Sequence, residues 1–258
     1  MDATQVLERL QAKAKPSVAK TYRRHGVFEP CFGVSYADLA ALVKTLGVDH
    51  ALARQLWASG NHDARVLATK LADPGEMDAG ELETWVLAAG NSLITDALAG
   101  LAARMLAAKP LALAWIDDPG EWVSSVGWGV LSLLAFEGRL RAPEASSLLA
   151  RVRKGIGGAP NRTRHAMNMA LIAIGGTMDG LRDEALKVAR DVSPVRVDHG
   201  HTGCATPDAE PYILRMAARA RPARPTGPNK AAKKASKRGA KKARKPAAKK
   251  APKPARGR

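Results

Sequence analysis

Residues 50–90 read HALARQLWASGNHDARVLATKLADPGEMDAGELETWVLAAG, and they decide the fold. Three runs, "HALARQLWA", "DARVLATKLA" and "GELETWVLAAG", place apolar residues at the spacing of an amphipathic helix. Between them stand "GNHD" and "ADPGEMD", made of glycine, proline and the short polar residues that cap helices.

The same pattern runs outward in both directions. On the N-terminal side lie "TQVLERLQAKA" and "YADLAALVKTL". On the C-terminal side lie "SLITDALAGLAARMLA", "EWVSSVGWGVLSLLAFEG", "PEASSLLARVRKGI", "RHAMNMALIAI" and "LRDEALKVARDV". No stretch keeps a strand's alternation, and the one extended segment, "SPVRVDHG", has no company for a sheet. "LADPGE" at 71–76 recurs as "DDPGE" at 117–121, and helix pairs follow at roughly the 40–47-residue spacing of HEAT and armadillo units. The expected fold is all-α, a HEAT-like helical-repeat solenoid whose second helices line a concave surface.

Charge divides the 258-residue chain in two. The net charge is +17, yet residues 1–218 hold 24 basic and 24 acidic side chains. The imbalance sits in 219–258, with 17 Lys and Arg and no Asp or Glu. That segment, with Lys233, Lys234, Lys241 and Lys242 among its cations, lacks large apolar side chains. Nothing offsets the entropy of ordering it, so a disordered tail that binds nucleic acid by counterion release is expected. The two domains are then 1–218, the helical repeats, and 219–258, the tail.

No apolar run is long enough to span a bilayer, the N-terminus lacks the pattern of a secretory signal, and the two cysteines, Cys31 and Cys204, lie far apart. A reduced, cytoplasmic and nucleoid-associated chain is expected.

Polar residues gather on one face of each second helix. Ser92, Asp96, Ala99 and Ala103 share a face in 91–107. Ser124, Ser125, Trp128 and Ser132 cluster in 121–137, with Trp122, Val126 and Leu133 on the apolar side. Arg164, His165 and Asn168 cluster in 162–174. Such faces are ordinarily just solvated; lining one groove, they would offer a carboxylate, an aromatic platform and a basic group. Arg151, Arg153, Lys154, Arg162 and Arg164 in "RVRKGIGGAPNRTRH" form a phosphate-contact patch.

"VDHGHTGCATPDAE" at 197–210 brings together His199, His201 and Cys204, residue types that zinc accepts. The spacing is not a usual zinc pattern, and the preferred reading is a polar loop leading into a final helix capped by Thr206 or Asp208. "GNHDAR" contains a His–Asp pair, but Asn61 or Asp63 reads better as a helix cap.

The stretches "RRHGVFEPCFGVSYADLAALVK", "LWASGNHDARVLATKLADP", "WVLAAGNSLITDALA" and "EWVSSVGWGVLSLLA" together resemble the bacterial DNA alkylation repair family, the HEAT-like-repeat DNA glycosylases of the AlkD kind. The resemblance covers most of 20–192. It implies metal-free and cofactor-free removal of N3- and N7-alkylated purines from double-stranded DNA by a monomer, with an aspartate stabilising the cationic sugar. Asp96 matches that aspartate. Ser92 stands where the family has a tryptophan, Ser125 where it has an arginine, and Met169 where it has a second tryptophan. Trp128 is the aromatic nearest to hand. Two functions are therefore carried forward: an alkylpurine DNA glycosylase using Asp96, and a non-catalytic DNA-binding or scaffold protein on the same frame.

Overall fold

The computed structural model describes residues 1–220. Lys233, Lys234, Lys241 and Lys242 lie outside the described residues, as does nearly all of the expected tail. Within 1–220 there are thirteen α-helices, two short 3-10 turns and no strand. The helices are α1 (Ala3–Ala12), α2 (Pro16–Arg24), α3 (Tyr36–Leu46), α4 (His50–Ala58), α5 (His62–Leu71), α6 (Ala79–Leu87) and α7 (Ser92–Ala102). They continue with α8 (Ala108–Trp115), α9 (Glu121–Phe136), α10 (Ala142–Gly155), α11 (Asn161–Thr177), α12 (Arg182–Val192) and α13 (Ala209–Ala220).

Short polar residues start the helices as the sequence suggests. Ser35, Asp49, Asn61, Asp78 and Asn91 each accept a backbone N–H from the first turn of α3 to α7. Such caps are worth about 1 kcal/mol each. The helices then pack in two layers. α5, α7, α9, α11 and α13 follow one another side by side and form the inner layer. α4, α8, α10 and α12 pack behind them. Buried Leu56, Leu67, Leu82, Ile94, Leu98, Leu131 and Leu149 fill the space between. Trp57 of α4 and Trp85 of α6 stack their rings in parallel at 4.3 Å and so tie these two helices together.

Two departures from the sequence reading have clear causes. The expected helix 92–107 ends at Ala102, and α8 begins at Ala108. Pro110 explains the break: a continuous helix would drive its ring into the carbonyl of Leu106. Helix α2 has no counterpart among the expected helices. It buries only Tyr22, too thin an apolar stripe to register as periodic. At the far end α13 runs through Ala220, past the boundary expected at residue 218.

The 25–35 loop is tethered by hydrogen bonds at Pro30, Phe32, Gly33 and Val34. Asp63, fully buried in the first turn of α5, accepts from the backbone N–H of Phe32 (2.7 Å), Gly33 (3.0 Å) and Val34 (2.8 Å). Three such bonds compensate for burying a charge. Tyr22 donates its hydroxyl to the Val34 carbonyl at 2.7 Å, and the His62 N–H reaches the Pro30 carbonyl at 2.8 Å. Gly33 has φ +79°, and a Cβ there would stand 2.5 Å from the Ala19 nitrogen, so only glycine lets the loop lie on α2.

Candidate nucleic-acid interface

The first turns of α7, α9 and α11 end on one hollow of about 520 Å³. Ser92, Glu121, Trp122, Asn161 and Arg162 come from these helix starts. The opposite wall is Arg23 and Arg24 at the end of α2, followed by His25 and Phe28. Asp198, His199, Gly200 and His201 close the third side. Helix starts present partial positive charge and favour an anion.

The charged groups of this hollow are unequally engaged. Its two carboxylates are both held by backbone: Glu121 accepts from the Arg162 N–H at 2.6 Å, and Asp198 from the Gly200 N–H at 2.7 Å. By contrast, no ion pair involves Arg23, Arg24 or Arg162 among the described residues. The buried Nε of Arg162 and Nδ1 of His165 have no hydrogen-bond partner there either. Burial, with Arg162 and His199 adding repulsion, pushes His165 down to about 4. His199 is also lowered, by burial first and then by Arg162. Phe28 is 86% exposed at the rim, an unusual position for a phenylalanine on so tightly tethered a loop.

Asp96 lies one turn beyond Ser92 on α7. The residue is exposed, yet neighbouring protein atoms partly desolvate its carboxyl. That desolvation raises its pKa, and Arg162 draws it partly back. Asp96 is not itself among the residues that line the hollow.

Several residues singled out in the sequence take other places or roles than expected. Trp128 is only 2% exposed and belongs to the core, so it offers no ring face to a ligand. Trp122, assigned to the apolar side, is the tryptophan that lines the hollow. Ser125 is buried, its hydroxyl donating to the Glu121 carbonyl at 2.6 Å. Ser92 is also buried, at the hollow's edge. Asn168 is fully buried and donates to the Pro207 carbonyl at 2.8 Å, anchoring the last loop. Arg164 spends its guanidinium on the carbonyls of Ala159 and Arg196.

The basic patch 151–164 is divided. Arg162 lines the hollow, whereas Arg151, Arg153 and Lys154 sit on α10 in the outer layer. Arg151 pairs with Asp117, and Arg153 with Asp191 at 2.8 Å. In the 197–210 loop, His199 faces the Thr206 hydroxyl at 3.0 Å and meets His165 edge-on, while Cys204 is exposed. No group of three or more metal-ligating side chains forms among the described residues.

Arg23, Arg24, Phe28 and Trp122 are the site residues that sequence reasoning missed. The adjacent arginines of "RRHG" were the available signal, but without α2 nothing placed them beside the inner helices.

A two-layer stack of paired helices, with cations free of ion pairs lining a hollow at its inner helix starts, defines a helical-repeat protein suited to a polyanion. The sequence model of a family described as DNA alkylation repair enzyme matches residues 6–212, and the chain belongs to that family. An uncharacterized protein of Listeria monocytogenes is 31% identical over 210 residues, covering 79% of this chain and 92% of the relative. An uncharacterized protein of Listeria innocua matches to the same extent. A solved structure, described as a new family of proteins related to the HEAT-like repeat DNA glycosylases with affinity for branched DNA structures, superimposes with a TM-score of 0.79 at 28% identity. That match covers 86% of this chain and 96% of the other. The protein is thus of the DNA-binding, repair type, on a HEAT-like frame. No helix among the described residues is long and apolar enough to cross a membrane.

Proposed function

We propose that residues 1–220 bind double-stranded DNA as a monomer, with the hollow at the starts of α7, α9 and α11 gripping the backbone. The observation that carries this is the set of guanidiniums without ion pairs, Arg23, Arg24 and Arg162, in a hollow whose carboxylates are already engaged. The affinity for branched DNA ascribed to the structural relative supports extending the ligand to duplex ends and junctions. Residues 221–258 add affinity that reads charge and not sequence, and the protein's place is with the nucleoid in the cytoplasm.

Base excision is the second reading, and Asp96 keeps it open. This aspartate is an exposed side chain on the inner-layer helix α7, where it could stabilise a cationic sugar. Against it, Ser92, Ser125 and Met169 supply neither the aromatic faces nor the guanidinium that the resemblance implies, and Trp128 is buried. Binding without excision is therefore the favoured function.

The test is base release from duplexes carrying 7-methylguanine or 3-methyladenine, run beside a binding titration on the same duplexes. Binding without release is expected. Release abolished by Asp96→Asn would reinstate the enzyme, and absence of any duplex binding would sink the proposal.

A further inference from the structure

We propose that a second hollow, on the inner face at α3, α5 and α7, is a subsite for an unpaired nucleic-acid strand. The inference rests on the DNA-binding reading above and adds a separate ligand feature. The hollow measures about 580 Å³, within the size range of small-ligand sites. Leu39, Val43 and Val66 give it an apolar floor, and Tyr36 stands at its edge, 52% exposed. Tyr22 meets the Tyr36 ring edge-on at 6.2 Å.

Three cations, Lys44, Lys70 and Arg104, line the hollow and no carboxylate does. Lys70 reaches across α7: its Nζ lies 3.9 Å from where a Cβ on Gly100 would stand. Arg104 is posed by donating to the Thr69 carbonyl at 2.9 Å. Burial and the neighbouring Arg104 both weaken the hold of Lys70 on its proton. An arriving phosphate would relieve that repulsion.

The combination selects the occupant. Cations alone would suit a duplex backbone, but a duplex hides its base faces in the stack. An aromatic ring and an apolar floor are satisfied by bases that are free to lie on them. A fatty carboxylate would fit the floor, yet three cations exceed what one carboxylate needs. The route to the hollow is also laid out. Ser92 lines the first hollow, Gly100 the second, and Asp96 lies between them on one face of α7. The eight steps from Ser92 to Gly100 span about 12 Å. A strand leaving duplex DNA gripped at Arg23, Arg24 and Arg162 would cross Asp96 and reach Lys70.

The test uses the full chain and two ligands, a plain duplex and the same duplex ending in two non-complementary thymidine arms. Lys70→Gln with Arg104→Gln should cost about tenfold on the forked ligand and less than about twofold on the duplex. With about 0.7 counterions released per single-strand phosphate, removing two cations should flatten the log–log salt slope on the fork by about 1.4. Tyr36→Leu, which leaves all charges in place, should cost about fivefold on the fork with an unchanged slope. Equal losses on both ligands, or no loss on the fork, would overturn the subsite while leaving duplex binding intact. Dodecanoate binding that depends on Lys70, with fork binding unaffected, would overturn it in favour of an amphiphile. A wild-type chain that binds neither DNA would overturn the DNA-binding reading itself, and the subsite with it.

Discussion

Two groups of arginines differ in what already holds them. On α10, Arg151 is paired with Asp117 and Arg153 with Asp191. At the hollow, Arg162 from the start of α11 faces Arg23 and Arg24 from the end of α2, and none of the three has an ion pair among the described residues. Surface pairs of the α10 kind are worth only about 0–1 kcal/mol. A phosphate approaching them would nevertheless have to displace a carboxylate already in contact with each guanidinium. Charge density along the sequence therefore points to α10, whereas availability of the charge points to the hollow.

The largest test isolates the body from the tail. Removing 221–258 should weaken duplex binding by roughly a thousandfold at low salt and flatten its salt slope, since each duplex phosphate left unneutralised subtracts about 0.9. The unfolding temperature should stay nearly unchanged. A slope that survives truncation would mean the body's own cations dominate.

In the truncated chain, Arg23→Gln with Arg24→Gln should cost about twentyfold and lower the slope by about 1.8. Arg151→Gln with Arg153→Gln should cost less than about twofold. Equal losses from the two pairs would erase the contrast. Between these in size, Phe28→Ala should cost about fivefold on ligands with a branch point or frayed end, and little on an intact duplex.

The smallest effect distinguishes the regions by acidity. In the folded chain His165 protonates near 4 instead of 6.5, so the unfolded state binds the proton first. Stability is then complete above about pH 6.5 and declines as pH falls towards 4. On α10, Glu144 is held down to about 2 by Arg141 and Lys109, so its contribution is lost only at much lower pH. A fall in the melting temperature of a few degrees between pH 7 and 5 is expected, and His165→Asn should remove much of it. An unchanged acid response in that variant would place the titrating group elsewhere.

The helix pairs were legible because α3 to α7 obey local rules: apolar spacing between capping residues. The site was less so, and α9 shows why. Ser124, Ser125, Trp128 and Ser132 look like a polar face with an aromatic, yet all four are buried. Helix α9 is packed by α7, α8 and α11, so it has little solvent side to present. Ser124 and Ser125 turn their hydroxyls back onto the carbonyls of Gly120 and Glu121, four residues earlier, at 2.8 and 2.6 Å. Satisfied in this way, a serine packs like a small apolar residue. Gly127 completes the close fit, since a Cβ there would stand 2.9 Å from the Ile116 nitrogen of the adjoining segment. The role of Asp63 was hidden for a different reason: its partners at Phe32, Gly33 and Val34 are some thirty residues away, and no periodicity reports such a bond.

The placement of the tryptophans gives the protein a built-in optical reporter. Trp57, Trp85, Trp115 and Trp128 are 7%, 4%, 4% and 2% exposed, so a soluble quencher such as iodide has poor access to them. Trp122 is the one that opens onto the hollow. The quenchable part of the intrinsic fluorescence should then come from a single indole, and its shielding would follow occupancy of the site without any label. Trp122→Phe would supply the blank, while the buried, parallel Trp57–Trp85 pair would serve as an internal standard for the folded state.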